Sequence, residues 1–207
     1  MVSGALERGA TVLLEHVGTR LWGFPPRLMS PIVTQLGPIR ALSWFVCNMP
    51  QYERTLSVFG AVRTHLLCTT ISLINGCRYC SYGHGYALGL AYLHEHGRLF
   101  PLSERTLGEL CGLAPGVIRH HIVKAVHRAG LHNELRWLER AITLTTAEDQ
   151  RPTDYDDARI SHLVRMFGVL NSVGNADNTE PDEAHSPLNK DYHLKLRYAE
   201  LWAASTP

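Results

Sequence analysis

Apolar positions along the chain recur every three or four residues, which is the period of a helix rather than of a strand. The stripe before residue 75 is the clearest example and comprises Leu66, Leu67, Thr70, Ile71 and Ile74. A second clear stripe follows residue 116 and comprises Val117, Ile118, His121, Ile122, Ala125 and Val126. The pattern therefore predicts an all-α fold, a bundle of helices with no sheet.

Proline, glycine and asparagine indicate where the early helices end. A first helix is expected to stop at Pro25-Pro26, and a second, over about 38–47, to end near Pro50. Residues 52–74 keep the helical pattern, and Gly60 is the expected break within them.

Capping residues predict further helix starts later in the chain. Thr106 and Glu109 have capping-box spacing, and Pro115 suits the first turn of a helix. Thr153 with Asp156 is a similar start signal. We expect one all-helical domain over 1–175 with its motif core at about 52–145, a polar linker at 176–191, and a C-terminal helical tail at 192–207.

The most informative segment is Cys77-Arg78-Tyr79-Cys80-Ser81-Tyr82-Gly83-His84. Positions separated by three or four residues share a helix face, so the spacing predicts two thiols and an imidazole on one side of a helix. Asn75-Gly76 is a good helix stop, and the next helix is expected to run from the thiols to about His96. Its N-terminus would direct free N–H groups and a positive dipole end at the sulfurs, which lowers a thiol pKa.

A hairpin around Asn75-Gly76 would bring His65 opposite His84. Each histidine lies about 12–15 Å from the turn at 1.5 Å per residue. The candidate site therefore consists of Cys80, Cys77, His84 and His65.

Composition narrows the classes of function. The chain has 207 residues, with 20 Lys plus Arg against 19 Asp plus Glu, which leaves no electrostatic case for binding nucleic acid. No apolar run is long enough for a membrane span, and the N-terminus has no export signal, so we expect a cytoplasmic protein that does not bind membranes. Five cysteines favour reduced thiols with one reactive pair. No glycine-rich phosphate loop is present, so no nucleotide cofactor is expected.

The stretch from Leu73 to Cys80, together with His84, resembles the motif of the alkylhydroperoxidase D and carboxymuconolactone decarboxylase-like family, in its redox branch. That family usually has a glutamate twelve residues before the first cysteine, where this chain has His65. A softer resemblance covers a helix after the core, at Phe167, Leu170, Asn171 and Asn175.

The resemblance implies an alkylhydroperoxidase D-like helical bundle whose hairpin carries the Cys-x-x-Cys motif, and a homo-oligomer. It implies a thiol-dependent peroxidase or disulfide oxidoreductase, with Cys80 as the nucleophile, Cys77 as the resolving thiol and His84 as the proton acceptor. The substrate would be a hydroperoxide or a disulfide, and an unidentified thiol reductant would restore the dithiol.

Two alternatives stay open at this point. Two cysteines and two histidines are a familiar zinc set, so Cys77, Cys80, His84 and His65 define a possible metal site. The fold could also belong to a non-redox protein like carboxymuconolactone decarboxylase, in which the cysteines have no chemical role.

Overall fold

The computed structural model describes residues 2–147 and 151–205. Ten α-helices cover most of this part of the chain: α1 (Val2–Trp22), α2 (Met29–Leu36), α3 (Pro38–Phe59), α4 (Ala61–Ile74), α5 (Arg78–His96), α6 (Glu104–Glu109), α7 (Pro115–Ala129), α8 (Leu135–Thr146), α9 (Tyr155–Asp177) and α10 (Tyr192–Ser205). Short 3-10 helices occupy His132–Glu134 and Pro187–Lys190. No strand is present in the described ranges, so the predicted all-α class is confirmed.

Several predicted helix boundaries are found in the structure. Gly60, with φ of 80°, separates α3 from α4, and Gly76, with φ of 72°, lies in the turn before α5. Both conformations lie in the left-handed half of backbone space that glycine adopts without steric cost. Pro115 begins α7, and α5 ends at His96 as expected.

The prediction that a helix ends near Pro50 is wrong, because α3 continues through this residue to Phe59. Proline removes one N–H from the helix ladder, but neighbouring side chains bond to carbonyls of the same segment. Asn48 Nδ2 donates to the Trp44 carbonyl at 2.8 Å, and Gln51 Nε2 donates to the Cys47 carbonyl at 3.1 Å. Burial of Tyr52, beyond the proline, also keeps the helix packed on the core.

Two predicted helix caps are displaced along the chain. Helix α6 is capped by Ser103, whose hydroxyl accepts from the Thr106 N–H at 3.1 Å, so Thr106 is not the cap. Helix α9 is capped by Asp154, which accepts from the Asp157 N–H at 2.8 Å. In both helices the cap bonds to the N–H three residues further on, as in the predicted capping box. Serine and aspartate are preferred at the N-cap, which explains why Ser103 and Asp154 take this position in place of the neighbouring threonines.

Helices α4 and α5 form the central antiparallel hairpin, and the other helices pack around them. The run from residue 64 to 73 of α4 is buried throughout, because α3, α5, α7, α8 and α9 all contact this helix. The middle of α4 is therefore enclosed by packed helices, whereas Gly76 in the turn that follows is exposed.

The polar segment expected to be a linker contributes to the core. Ala184, His185 and Ser186 are buried, and the His185 N–H donates to the Gly83 carbonyl of α5 at 3.1 Å. Helix α10 then packs on α5, where the Tyr198 ring lies against Gly89. No helix within the described ranges is long and apolar enough to cross a membrane.

Candidate functional site

The two candidate thiols lie at the first turn of α5. Cys77 is the N-cap residue, with φ of −90° and ψ of 103°, and its Sγ accepts from the Cys80 N–H at 3.5 Å. The Cys77 N–H donates to the Ser72 carbonyl at 2.9 Å, which closes the tight connection between α4 and α5. The Cys77 sulfur therefore lies where a helix offers unpaired N–H groups and the positive end of its dipole.

The two thiols differ in how well the site accommodates a negative charge. Hydrogen bonding by Cys80 lowers the pKa of Cys77 to about 7, against burial, with smaller contributions from backbone N–H groups and the Asn171 side chain. Burial and the neighbouring Cys77 raise the pKa of Cys80 well above its ordinary value. Of the two thiols, Cys77 is therefore the one whose surroundings favour the thiolate.

Helix α9 covers the sulfurs from a distant part of the chain. Gly174 lies so close that a Cβ there would be 2.9 Å from the Cys77 Sγ. Asn171 accepts from Asn75 Nδ2 at 2.9 Å and donates to Ser72 Oγ at 3.2 Å. Asn171 therefore holds the turn before Cys77 in place.

His65 and His84 face each other across the hairpin, as the spacing predicts. Their Nδ1 atoms are 3.1 Å apart, which is a hydrogen-bond distance. Burial, with a contribution from the charge of His185, lowers the pKa of His65 to about 3 and that of His84 well below its ordinary value. Both rings are neutral at physiological pH, so one Nδ1 donates to the other.

The two predicted pairs are each assembled, but they are not joined to one another. Among the hydrogen bonds of the described residues, none links His84 to Cys77 or Cys80. The His84 ring instead meets Phe167 edge-on at 4.9 Å between centroids. His84 is therefore bonded to His65 and packed against Phe167 of α9, and it does not act as a hydrogen-bond partner of either thiol.

The zinc alternative has no support in this geometry. Within residues 2–147 and 151–205, no three His, Cys, Asp or Glu side chains are grouped so that they could hold a metal ion. The cysteine pair and the histidine pair therefore do not form one metal-binding group.

Two functional candidates were missed by the sequence analysis, Asp182 and His185. The His185 ring lies flat on α5 at Gly83, where a Cβ would be 2.4 Å from the imidazole. It contacts the rings of His84 and Tyr79, with centroids 5.1 Å and 5.0 Å apart. The three-residue spacing of Asp182 and His185 inside a polar segment was the only local signal for this pair.

The sulfurs are buried, with 1% of Cys77 and 2% of Cys80 exposed. A cleft of about 760 Å³ lies beside them at the start of α5, lined by Gly76, Arg78, Tyr82 and Cys111 among others. Ser81 Oγ, in the first turn of α5, is 3.8 Å from the Cys111 sulfur. The cleft is therefore lined by the two residues that flank Cys77, whereas neither Cys77 nor Cys80 lines it.

Comparisons with known proteins found no match among protein-family models, curated proteins or solved structures.

Proposed function

We propose that this chain is a thiol-dependent redox enzyme in which Cys77 and Cys80 alternate between a dithiol and a disulfide. The observation that carries the proposal is the position of Cys77 at the N-cap of α5, where its Sγ accepts from the Cys80 N–H. A thiolate is the reactive form of cysteine, and a helix N-terminus with a neighbouring thiol is a recognised way of producing one.

The substrate would be a hydroperoxide or a disulfide. With a hydroperoxide, the thiolate sulfur attacks one peroxide oxygen, the O–O bond breaks, and an alkoxide leaves. The other thiol then attacks the sulfenic acid, forming the S–S bond and releasing water. A thiol reductant, whose identity is open, returns two electrons and two protons to the disulfide.

The charge distribution favours Cys77 as the attacking sulfur and Cys80 as the resolving one. This order is the reverse of the one implied by the resemblance to alkylhydroperoxidase D. Burial raises the pKa of Cys80, and its hydrogen bond lowers the pKa of Cys77, so Cys80 is the thiol that keeps its proton more readily.

The decisive experiment is a thiol count before and after treatment with cumene hydroperoxide or oxidised dithiothreitol. We expect wild type to lose two thiols per chain and to recover them with dithiothreitol. Cys77→Ser and Cys80→Ser should each prevent the intramolecular disulfide, whereas Cys47→Ser, at an exposed cysteine on α3, is the control and should behave as wild type.

The same variants distinguish the two orders of attack. If Cys77 attacks, Cys80→Ser forms a sulfenic acid that dimedone traps, and Cys77→Ser does not. Dimedone labelling of Cys77→Ser alone would restore Cys80 as the nucleophile. Unchanged thiol counts in wild type with both oxidants would contradict the redox function itself.

A further inference from the structure

A second pair of histidines lies on the surface, at the end of α7. His127 is in the last turn of α7, and His132 begins the 3-10 helix that follows. Their Nδ1 atoms are 3.1 Å apart, and both side chains are exposed. Neither residue belongs to the dithiol or to the buried His65–His84 pair, so the proposed redox function gives this exposed pair no role.

The backbone fixes the separation of the two rings. Gly130, with φ of 75°, ends α7 in the left-handed conformation, and its N–H donates to the His127 carbonyl at 3.0 Å. The Leu131 N–H donates to the Val126 carbonyl at 3.0 Å, which completes the hydrogen-bonded turn of a helix C-terminus. His132 therefore follows the turn at a defined position relative to His127, before any ligand binds.

The exposed rings are arranged differently from those of the buried pair. Both pairs have 3.1 Å between their Nδ1 atoms, but the ring centroids are 5.0 Å apart in His127–His132 and 5.4 Å apart in His65–His84. A shorter distance between centroids at the same distance between nitrogens means that the exposed nitrogens point less directly at each other. This tilt is what two lone pairs need in order to be directed at a third atom.

The separation of the nitrogens suits a single metal ion bound by both. Imidazole nitrogens bind zinc at about 2.0–2.1 Å, so two of them on one ion are about 2.8–3.4 Å apart for angles between 90° and tetrahedral at the metal. The observed 3.1 Å lies inside this range. The C-terminal end of a helix also carries a partial negative charge, which favours a cation beside the last turn of α7.

The protein supplies two ligands, and this number narrows the class of metal. Within residues 2–147 and 151–205, no third His, Cys, Asp or Glu is grouped with the pair so that all three could hold an ion, and Glu134 of the same 3-10 helix binds Arg63. Water would complete the ligand set. Two nitrogens with water oxygens suit Cu²⁺ and Ni²⁺, whereas Mg²⁺ and Ca²⁺ prefer oxygen ligands alone.

We propose that His127 and His132 bind one divalent late transition-metal ion, of the Ni²⁺ and Cu²⁺ type, through their Nδ1 atoms. One Nδ1 of the pair carries the hydrogen-bonded proton, which leaves to solvent when the ion binds, and the same ring takes a proton on Nε2. The ion connects the end of α7 to the 3-10 helix. This site is independent of the dithiol and does not rest on the redox function.

The test is calorimetric titration of the full chain, without a histidine tag, with NiCl₂. We expect wild type to bind one ion at this site. His127→Ala and His132→Ala should each bind it about 10²-fold more weakly, because the second imidazole no longer acts as an intramolecular ligand. The matched control is the double variant His120→Ala/His121→Ala, which should bind nickel as wild type does.

The control pair is exposed and lies on the same helix, but it is unsuited to chelation. The ring centroids of His120 and His121 are 5.8 Å apart, and adjacent positions project in different directions from a helix. Equal loss of binding in the control, retention of binding by either single variant, or absence of binding by wild type at millimolar NiCl₂ would each overturn the site.

The midpoint of urea unfolding gives a second measurement. An ion that binds only the folded protein stabilises it, so NiCl₂ should raise the midpoint of wild type and of the control more than that of either single variant. The midpoints without metal show whether the variants fold, which we expect because both side chains are exposed. An equal rise in all four proteins, or an equal rise with MgCl₂, would contradict a site made by these two imidazoles.

Discussion

The Arg140–Asp157 pair and the His65–His84 pair are both polar contacts between neighbouring helices, but only the first is fully satisfied. Arg140 binds Asp157 through two hydrogen bonds of 2.8 Å and 2.6 Å, which connect α8 to α9. Thr153 adds donors to the same carboxylate from its N–H, at 3.1 Å, and from its hydroxyl, at 2.6 Å. The carboxylate also lies in the first turn of α9, where a negative charge is favoured.

The histidine pair has no such compensation. Its two rings share one hydrogen bond, and the buried Nε2 of His65 has no partner. A buried polar atom without a partner costs about 1–3 kcal/mol. The difference indicates that the α8–α9 contact serves stability, whereas the α4–α5 contact keeps an unfavourable arrangement of the kind found at functional sites.

The largest expected difference between the two pairs is in their response to acid. Burial keeps the folded-state pKa of His65 and His84 below the unfolded value, so the unfolded chain binds more protons below about pH 6.5. Each histidine should lower the free energy of unfolding by about 1.4 kcal/mol per pH unit as pH falls from about 6.5. For His65 this loss continues to pH about 3. Urea unfolding across this range measures the slope.

Asp157 should respond in a different pH window. The Arg140 guanidinium lowers its folded-state pKa, so its contribution is present above the unfolded pKa of about 4 and is lost only as pH falls further. Between pH 6 and 4, His65→Gln should therefore reduce the slope by about 1.4 kcal/mol per pH unit, the contribution of one histidine. Asp157→Asn should leave the slope in this range unchanged. An identical slope in wild type and His65→Gln would mean that His65 is not a neutral buried group.

Two glycines of α9 give a matched test of how tightly the site is packed. A Cβ at Gly174 would meet Cys77 Sγ at 2.9 Å, whereas one at Gly168 would meet nothing within 4 Å. We expect Gly174→Ala to lower the free energy of unfolding by about 1–3 kcal/mol through overpacking. Gly168→Ala should raise it by about 0.5–1 kcal/mol through helix propensity. Stabilisation by both substitutions, measured by urea unfolding, would show that α9 does not press on Cys77.

The smallest expected effect on thiol reactivity comes from the satisfied Arg140–Asp157 pair. Asp157→Asn keeps the side-chain shape but removes the charge that Arg140 and Thr153 bind. We expect a loss of about 1.5–3 kcal/mol at pH 7, since hydrogen bonds to charged groups contribute about that much. Thiol reactivity should stay at the wild-type level, and a change in it would mean that the two regions are coupled through α9.

Local spacing in the sequence was enough to predict the helical hairpin and the contact between its two histidines. Asn75-Gly76 stops α4, and the rise per residue then places His65 opposite His84, at the observed 3.1 Å between Nδ1 atoms. The same spacing correctly put Cys77 and Cys80 at the start of α5. It failed to show that His84 makes no hydrogen bond to either thiol, because Phe167 and His65 occupy its surroundings.

The sequence by itself determined the class of fold, the ends of several helices and the composition of the dithiol, because these depend on residues within a few turns of each other. Only the tertiary structure decided that Gly174 and Asn171 lie beside the Cys77 turn, and that Asp182 and His185 lie against α5. Those contacts join residues about a hundred positions apart. No local periodicity encodes them, because they follow from how helices and loops pack around a shared core.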